Sequence, residues 1–178
     1  MDKRKPYRPE LSLELLAKVS QYIKENYTGE LLEKQESAIL YDAALEKPCS
    51  RLRMAPRASL AEMLQHVGES FQQRLLRFID ERGLTDPEVY KAANVDRKLF
   101  SKIRCNKDYI PKKKTIVALA IALKLNLDDT QNLLATAGFR LTTSNKADLI
   151  VMFCLENDVY DIYEVNALLD RWGEQELN

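Results

Sequence analysis

The stretch TDPEVYKAANVDRKLFSKIR, from Thr85 to Arg104, decides the fold of this chain. Thr85 and Glu88 have the T-x-x-E spacing of a capping box, which indicates that a helix starts there. Asn94 belongs to a residue type that tolerates the left-handed conformation of a sharp turn. Asp96 can cap a second helix by accepting hydrogen bonds from its free N–H groups. The stretch therefore predicts two short helices joined by a tight turn.

Apolar side chains in this stretch predict how the two helices pack. Those that we expect to be buried are Val89, Ala93, Val95, Phe100 and Ile103. They tie the helices together across the turn and leave the other face of the second helix free. That free face carries Arg97, Lys98, Ser101 and Lys102. A two-helix unit with a free basic face can place a helix in the major groove of DNA.

Further segments along the chain resemble a known class of domain. They are ESF (69–71), AANVDRKLFSKIR (92–104), PKKKT (111–115), LATAGF (134–139) and YDIYEVN (160–166). From about Ser70 to Phe139 the chain resembles a helix-turn-helix domain of the Cro and lambda-repressor class, or XRE type. From Glu69 to Gly173 it is more closely similar to a helical domain of bacterial proteins that sometimes follows an ADP-ribose-processing macro domain. The 178 residues contain no macro domain, so that activity does not carry over.

The resemblance implies an all-α protein and a regulator of transcription that binds DNA. We expect a five-helix lambda-repressor-like unit, an N-terminal helical hairpin and two extra C-terminal helices. The chain departs from many DNA-binding members at Asp86, Tyr90 and Asn94, where those members have Gln, Ala and Gly. Asp86 has no donor for a DNA phosphate, which removes one backbone contact.

Sequence patterning divides the chain into four segments. Residues 1–46 form a charged tail, a helix from Ser12 to about Asn26, and a second helical stretch near 31–45. Residues 47–66 form a basic linker with a short helix, where Ser50 and Ser59 lie near arginines. Residues 67–140 contain the two-helix unit, and in this segment Asp128 is expected to cap a helix. Residues 141–178 form an acidic extension with helices near 145–156 and 161–172.

Charge is unevenly distributed, although the formal net charge is zero. Residues 91–114 carry nine Lys or Arg against two Asp, a net charge of +7. Residues 141–178 carry eight acidic residues against two basic ones, a net charge of −6. A local basic stripe is the electrostatic footprint of nucleic-acid binding.

Neither the cysteines nor the histidine indicates catalysis. Cys49, Cys105 and Cys154 match no disulfide framework and no C-x-x-C metal motif, which favours reduced thiols in the cytoplasm. His66 has no cysteine or carboxylate cluster within sequence reach. Catalytic, nucleotide and metal motifs are missing, so we expect no enzyme, no cofactor and no bound metal. No apolar run approaches the roughly 18 residues of a membrane span, and the charged N-terminus resembles no signal peptide.

Two functions remain open from the sequence. The first is binding of double-stranded DNA, with base contacts from Arg97, Lys98, Ser101 and Lys102. Phosphate contacts would then come from Lys91, Lys107, Lys112, Lys113 and Lys114. The second is a protein-interaction module that binds a partner, or a second copy of itself, through the N-terminal or C-terminal helices. RNA binding is a weaker third hypothesis, because no aromatic platform is visible.

Overall fold

The computed structural model describes Pro9, residues 11–28 and residues 69–177. The predicted helical stretch near 31–45, the linker and short helix at 47–66, and most of the predicted tail lie outside these residues. The described part of the chain is entirely helical, with eight helices and no strand. The helices are α1 Leu13–Asn26, α2 Phe71–Glu81, α3 Asp86–Ala92, α4 Arg97–Cys105, α5 Lys113–Ala122, α6 Leu127–Thr136, α7 Lys146–Glu156 and α8 Ile162–Arg171. The prediction of an all-α protein is confirmed for these residues.

Polar side chains fix where several helices begin. At α2, Ser70 Oγ accepts from the N–H of Gln73 at 3.3 Å, and Gln73 Oε1 accepts from the N–H of Ser70 at 3.0 Å. At α3, the carboxylate of Glu88 accepts from the backbone N–H of Thr85 at 2.8 Å and from its hydroxyl at 2.7 Å. These two bonds hold the pKa of Glu88 below its usual value. The capping partners predicted at the start of α3 are therefore confirmed.

The predicted cap of α6 is wrong. Asn126, not Asp128, is the N-cap residue, and its Oδ1 accepts from the N–H of Asp129 at 2.7 Å. Asp128 lies in the first turn of the helix. There a negative charge still interacts favourably with the helix dipole.

Helix α5 is the centre of the core. Its six consecutive residues from Ile116 to Ile121 are all buried, so this helix is covered on every side. It contacts α3, α6 and α8. Helix α6 also packs on α2, whose apolar residues Phe71, Leu75, Phe78 and Ile79 are buried.

The two C-terminal helices belong to the same core. Helix α7 packs on α6 and α8, and α8 also packs on α5. Leu168 and Leu169 of α8 are fully buried, and Trp172 packs against the core as a partly buried residue. The sequence left open whether these helices dock on the chain or join two chains. They dock within the chain, and the core is continuous across the predicted boundary at 141.

Helix α1 packs on α7 and so joins the N-terminal segment to the C-terminal one. Val19 and Ile23 are its buried residues. The rings of Tyr22 and Phe153 meet edge to face, with centroids 5.4 Å apart. None of the described helices has the length and the apolar character that crossing a bilayer requires.

Candidate functional site

Helix α4 has one buried face and one exposed face. Phe100 and Ile103 are 3% and 1% exposed and hold the helix on the core. The four residues predicted to contact bases, Arg97, Lys98, Ser101 and Lys102, are all exposed. We call these four residues the α4 exposed face. The arrangement follows from helical spacing, which separates the apolar positions from the polar ones.

The turn between α3 and α4 sets the position of that face. Asn94 adopts the left-handed conformation with φ of 51°, as its residue type predicts. The N–H of Val95 donates to the carbonyl of Tyr90 at 2.8 Å and closes the turn. Asp96 Oδ1 then accepts from the N–H of Lys98 at 2.7 Å, which begins α4. All five side chains predicted to be buried across this turn are buried.

One of the four residues of the α4 exposed face has a partner in the chain. The ammonium nitrogen of Lys102 lies 4.1 Å from the centroid of the Tyr109 ring. A cation over an aromatic face is attracted by the ring quadrupole, so Lys102 is held toward the loop that follows α4. Arg97 and Lys98 have no such contact within the described residues.

Arg104, which was not among the predicted site residues, is held at two points. Its Nη1 lies 2.6 Å from Oδ1 of Asp86 at the start of α3. Its backbone carbonyl accepts a hydrogen bond from the side-chain amide of Gln72 in α2. Arg104 is seven residues after Arg97 and three after Ser101, which is the spacing of one helix face. That spacing is the sequence signal that could have identified it.

The lysines at the start of α5 do not share one environment. Lys112 is the N-cap residue and is exposed. Lys113 Nζ lies 2.6 Å from Oδ2 of Asp148 in α7, and this carboxylate oxygen also accepts from the N–H of Thr142 at 3.0 Å. Asp148 is buried, so Lys113 is directed toward the core of the C-terminal helices rather than outward.

Lys114 is held by the segment that follows α8. Its Nζ donates to Oε1 of Gln175 and to the backbone carbonyl of Glu176, both at 2.9 Å. The same segment is anchored by Leu177, which is 7% exposed and whose N–H donates to Oδ1 of Asn166 at 2.9 Å. Two of the five lysines predicted to contact phosphates are therefore occupied inside the chain.

Two open surface pockets lie beside α4. A groove of about 500 Å³ runs between α3 and α4 and is bordered by Arg97, Ser101 and Arg104. A cleft of about 1000 Å³ lies on the side of the α3–α4 turn, between Asn94, Lys112 and the segment Glu174 to Leu177. Lys91 and Lys107, the two other predicted phosphate contacts, are exposed beside the two-helix unit.

No protein-family model, no curated protein and no solved structure matches this chain. The resemblance to the Cro and lambda-repressor class therefore stays a prediction from the sequence. Function has to be argued from the residues themselves.

Proposed function

We propose that this chain binds double-stranded DNA and regulates transcription, with α4 as the helix that enters the major groove. In this proposal α2 to α6 form a five-helix, lambda-repressor-like helix-turn-helix unit. The observation that carries the proposal is the orientation of α4: Arg97 and Lys98 in its first turn are exposed, while Phe100 and Ile103 are buried. Two cations with no partner in the described residues are thus held on a helix that is fixed to the core.

The chemistry of these side chains suits base edges. The planar guanidinium of Arg97 can donate to O6 and N7 of guanine together, and Lys98 can donate to the same atoms. Ser101 follows one turn later and can donate or accept at any base edge. The α4 exposed face therefore offers donors where the major groove presents acceptors.

Phosphate contacts would surround this helix. Lys91 is in the last turn of α3, Lys107 is in the loop after α4, and Lys112 is at the start of α5. All three are exposed, and none of their ammonium groups has a hydrogen bond or ion pair with another described residue. Lysines in such positions set the register of a protein on a duplex without specifying its sequence.

A fluorescence anisotropy titration with a random duplex, at about 50 mM and about 200 mM salt, tests the proposal. We expect binding that weakens steeply with salt, because each lysine or arginine on a phosphate releases a counterion. The double variant Arg97→Ala/Lys98→Ala should lose most of this binding. Lys18→Ala is the matched control, since Lys18 is exposed on α1 and pairs with Glu14 at 2.8 Å.

The second candidate is a protein-interaction module. It is favoured by the internal pairing of four basic side chains, namely Lys102, Arg104, Lys113 and Lys114. Carboxylates offset the charge of Arg104 and Lys113, and the ammonium groups of the other two contact groups of the chain itself. If the chain is a protein-interaction module, the wild-type chain should show no salt-dependent binding of duplex. The titration therefore distinguishes the two candidates.

A further inference from the structure

Arg104 is exposed, and its guanidinium is paired within the chain. Its side chain is 48% exposed, yet Asp86 holds the guanidinium and Gln72 holds the backbone carbonyl. A free surface arginine samples many rotamers and loses that freedom when it binds a ligand. The side chain of Arg104 has already lost part of this freedom, because its guanidinium is paired with Asp86.

The restraint leaves donors free. A guanidinium carries five N–H groups in one plane, and Asp86 takes one of them at Nη1. The edge formed by Nε and Nη2 has no partner in the described part of the chain. Two parallel donors on one edge match the two acceptors, O6 and N7, that guanine presents in the major groove.

From this geometry we infer that Arg104 is a further base-contacting residue that recognises guanine, and that Asp86 is the residue that positions it. The inference rests on the proposed binding of duplex DNA. It moves the specific contacts from Lys102, which is held toward Tyr109, to the row formed by Arg97, Ser101 and Arg104.

The groove between α3 and α4 supports this assignment. Arg97, Ser101 and Arg104 border it, and Tyr90 lines it with a ring that packs on Phe100 at 5.8 Å between centroids. The three polar side chains thus lie along one row of the helix, at intervals of four and three residues. Asp86 also lies in this groove, where its pairing with Arg104 offsets a charge that would repel DNA phosphates.

The experiment is selection of bound sequences from a randomised duplex library, followed by titration of the selected duplex and of single-base variants. The proteins are wild type, Arg104→Ala, Arg104→Lys, Asp86→Asn and Asp86→Glu, with Lys18→Ala as control. We expect wild type to select guanine at one position that Arg104→Ala no longer selects. The ratio of affinities for guanine and for the other bases at that position should fall roughly 5- to 150-fold, the range that one bidentate contact provides.

Three conservative variants separate position from charge. Arg104→Lys keeps the charge but lacks the planar fork, so it should lose the same discrimination while the salt dependence stays unchanged. Asp86→Asn should weaken the preference at the same position only, because the guanidinium is released but remains. Asp86→Glu keeps a carboxylate and is expected to restore the preference. A thermal melt of each variant shows whether it is folded.

Three outcomes would overturn the inference. If Arg104→Ala lowers the melting temperature and leaves the selected sequence unchanged, Arg104 only ties α4 to α3. If it weakens binding to all sequences equally and lowers the salt slope by about one, it contacts a phosphate. If wild type shows no salt-dependent duplex binding, the proposed function fails, and the assignment of Arg104 fails with it. The first two outcomes leave the proposed function intact.

Discussion

Asp148 of α7 and Lys113 of α5 form an ion pair of 2.6 Å that joins the C-terminal helices to the central helix. The carboxylate is almost covered, and it also accepts from the N–H of Thr142 at 3.0 Å and lies 3.3 Å from the Thr142 hydroxyl. One oxygen atom, Oδ2, therefore accepts both from Lys113 in α5 and from the loop before α7. These contacts join α5 to the C-terminal extension, two parts of the chain that the sequence patterning assigned to different segments.

Asp148→Asn should destabilise the fold. The substitution removes the charge that Lys113 faces and replaces one acceptor oxygen of a buried carboxylate by an NH2 donor. Hydrogen bonds to charged groups contribute on the order of 1.5–3 kcal/mol, and we expect a loss of about 2 kcal/mol in the free energy of unfolding. Urea unfolding followed by circular dichroism measures it. Asp128→Asn, at an exposed position, is the control and should cost under about 0.5 kcal/mol. Equal stability of the two variants would show that the pair of Lys113 and Asp148 does not stabilise the fold.

Phe100→Ala should unfold or strongly destabilise the chain. Phe100 is 3% exposed and packs between α3 and the core, and loss of a buried phenylalanine costs about 3–5 kcal/mol. Such a loss is a large part of the stability of an ordinary domain. Lys98→Ala, on the exposed side of the same helix, should melt close to wild type. A Phe100→Ala protein that melts within about two degrees of wild type would contradict the packing.

The sequence predicted the helices of the described residues well, because their signals are local. Ser70 and Gln73 are three residues apart, and the apolar rows of α2 and α4 repeat within two turns. Such signals lie within the chemistry of one helix. The cap of α6 was missed because Asn126 and Asp128 are both good caps only two residues apart, and local propensity does not choose between them.

The candidate site was harder to predict, because its electrostatics depend on distant partners. Lys113 bonds a residue 35 positions away, and Lys114 bonds residues 61 and 62 positions away. The triplet at 112–114 therefore looked uniform, although its three members differ in burial and partner. Arg104 was not predicted as a site residue for a related reason, since the residue that positions it, Asp86, is 18 positions earlier.

The three lysines at 112–114 should differ in their effect on DNA binding when each is neutralised. Lys112→Ala should lower the slope of log affinity against log salt by about one, because this exposed side chain is available to a phosphate. Lys114→Ala should change the slope much less, because Gln175 and Glu176 already occupy its ammonium group. Anisotropy titrations over a series of salt concentrations measure both slopes. A larger effect of Lys114→Ala would mean that the segment after α8 moves away when DNA binds.

The contact between α1 and α7 should weaken at alkaline pH. Burial, with Glu156 as a second cause, raises the pKa of Tyr22 from 10.0 to about 12. The folded state then keeps a proton that the unfolded state releases, so stability is fully present below pH 10.0 and is lost between there and about pH 12. Tyr22→Phe should reduce this loss, as measured by urea unfolding over that range. Tyr163→Phe, at a 43% exposed ring, is the control and should retain the wild-type fall in stability.

The two cysteines of the described residues should differ in reactivity. Burial, with the charge of Glu164 as a second cause, raises the pKa of Cys154 to about 12, whereas Cys105 is exposed at the end of α4. Because the thiolate is the reactive form, a maleimide should label Cys105 quickly and Cys154 only after unfolding. Mass spectrometry of a Cys49→Ser variant measures this difference. Labelling of a folded Cys49→Ser/Cys105→Ser variant would show that α7 opens readily.

The packing of α1 on α7 has a consequence for synthesis of the chain. The hydroxyls of Thr28 and Thr143, which lie 3.2 Å apart beside this contact, are separated by 115 positions. At about 5–20 residues per second, a ribosome needs on the order of ten seconds to pass from the first threonine to the second. During that interval Val19 and Ile23 have no α7 to cover them. Helix α1 is thus made well before the helix that covers it, and its apolar face stays uncovered until α7 leaves the ribosome.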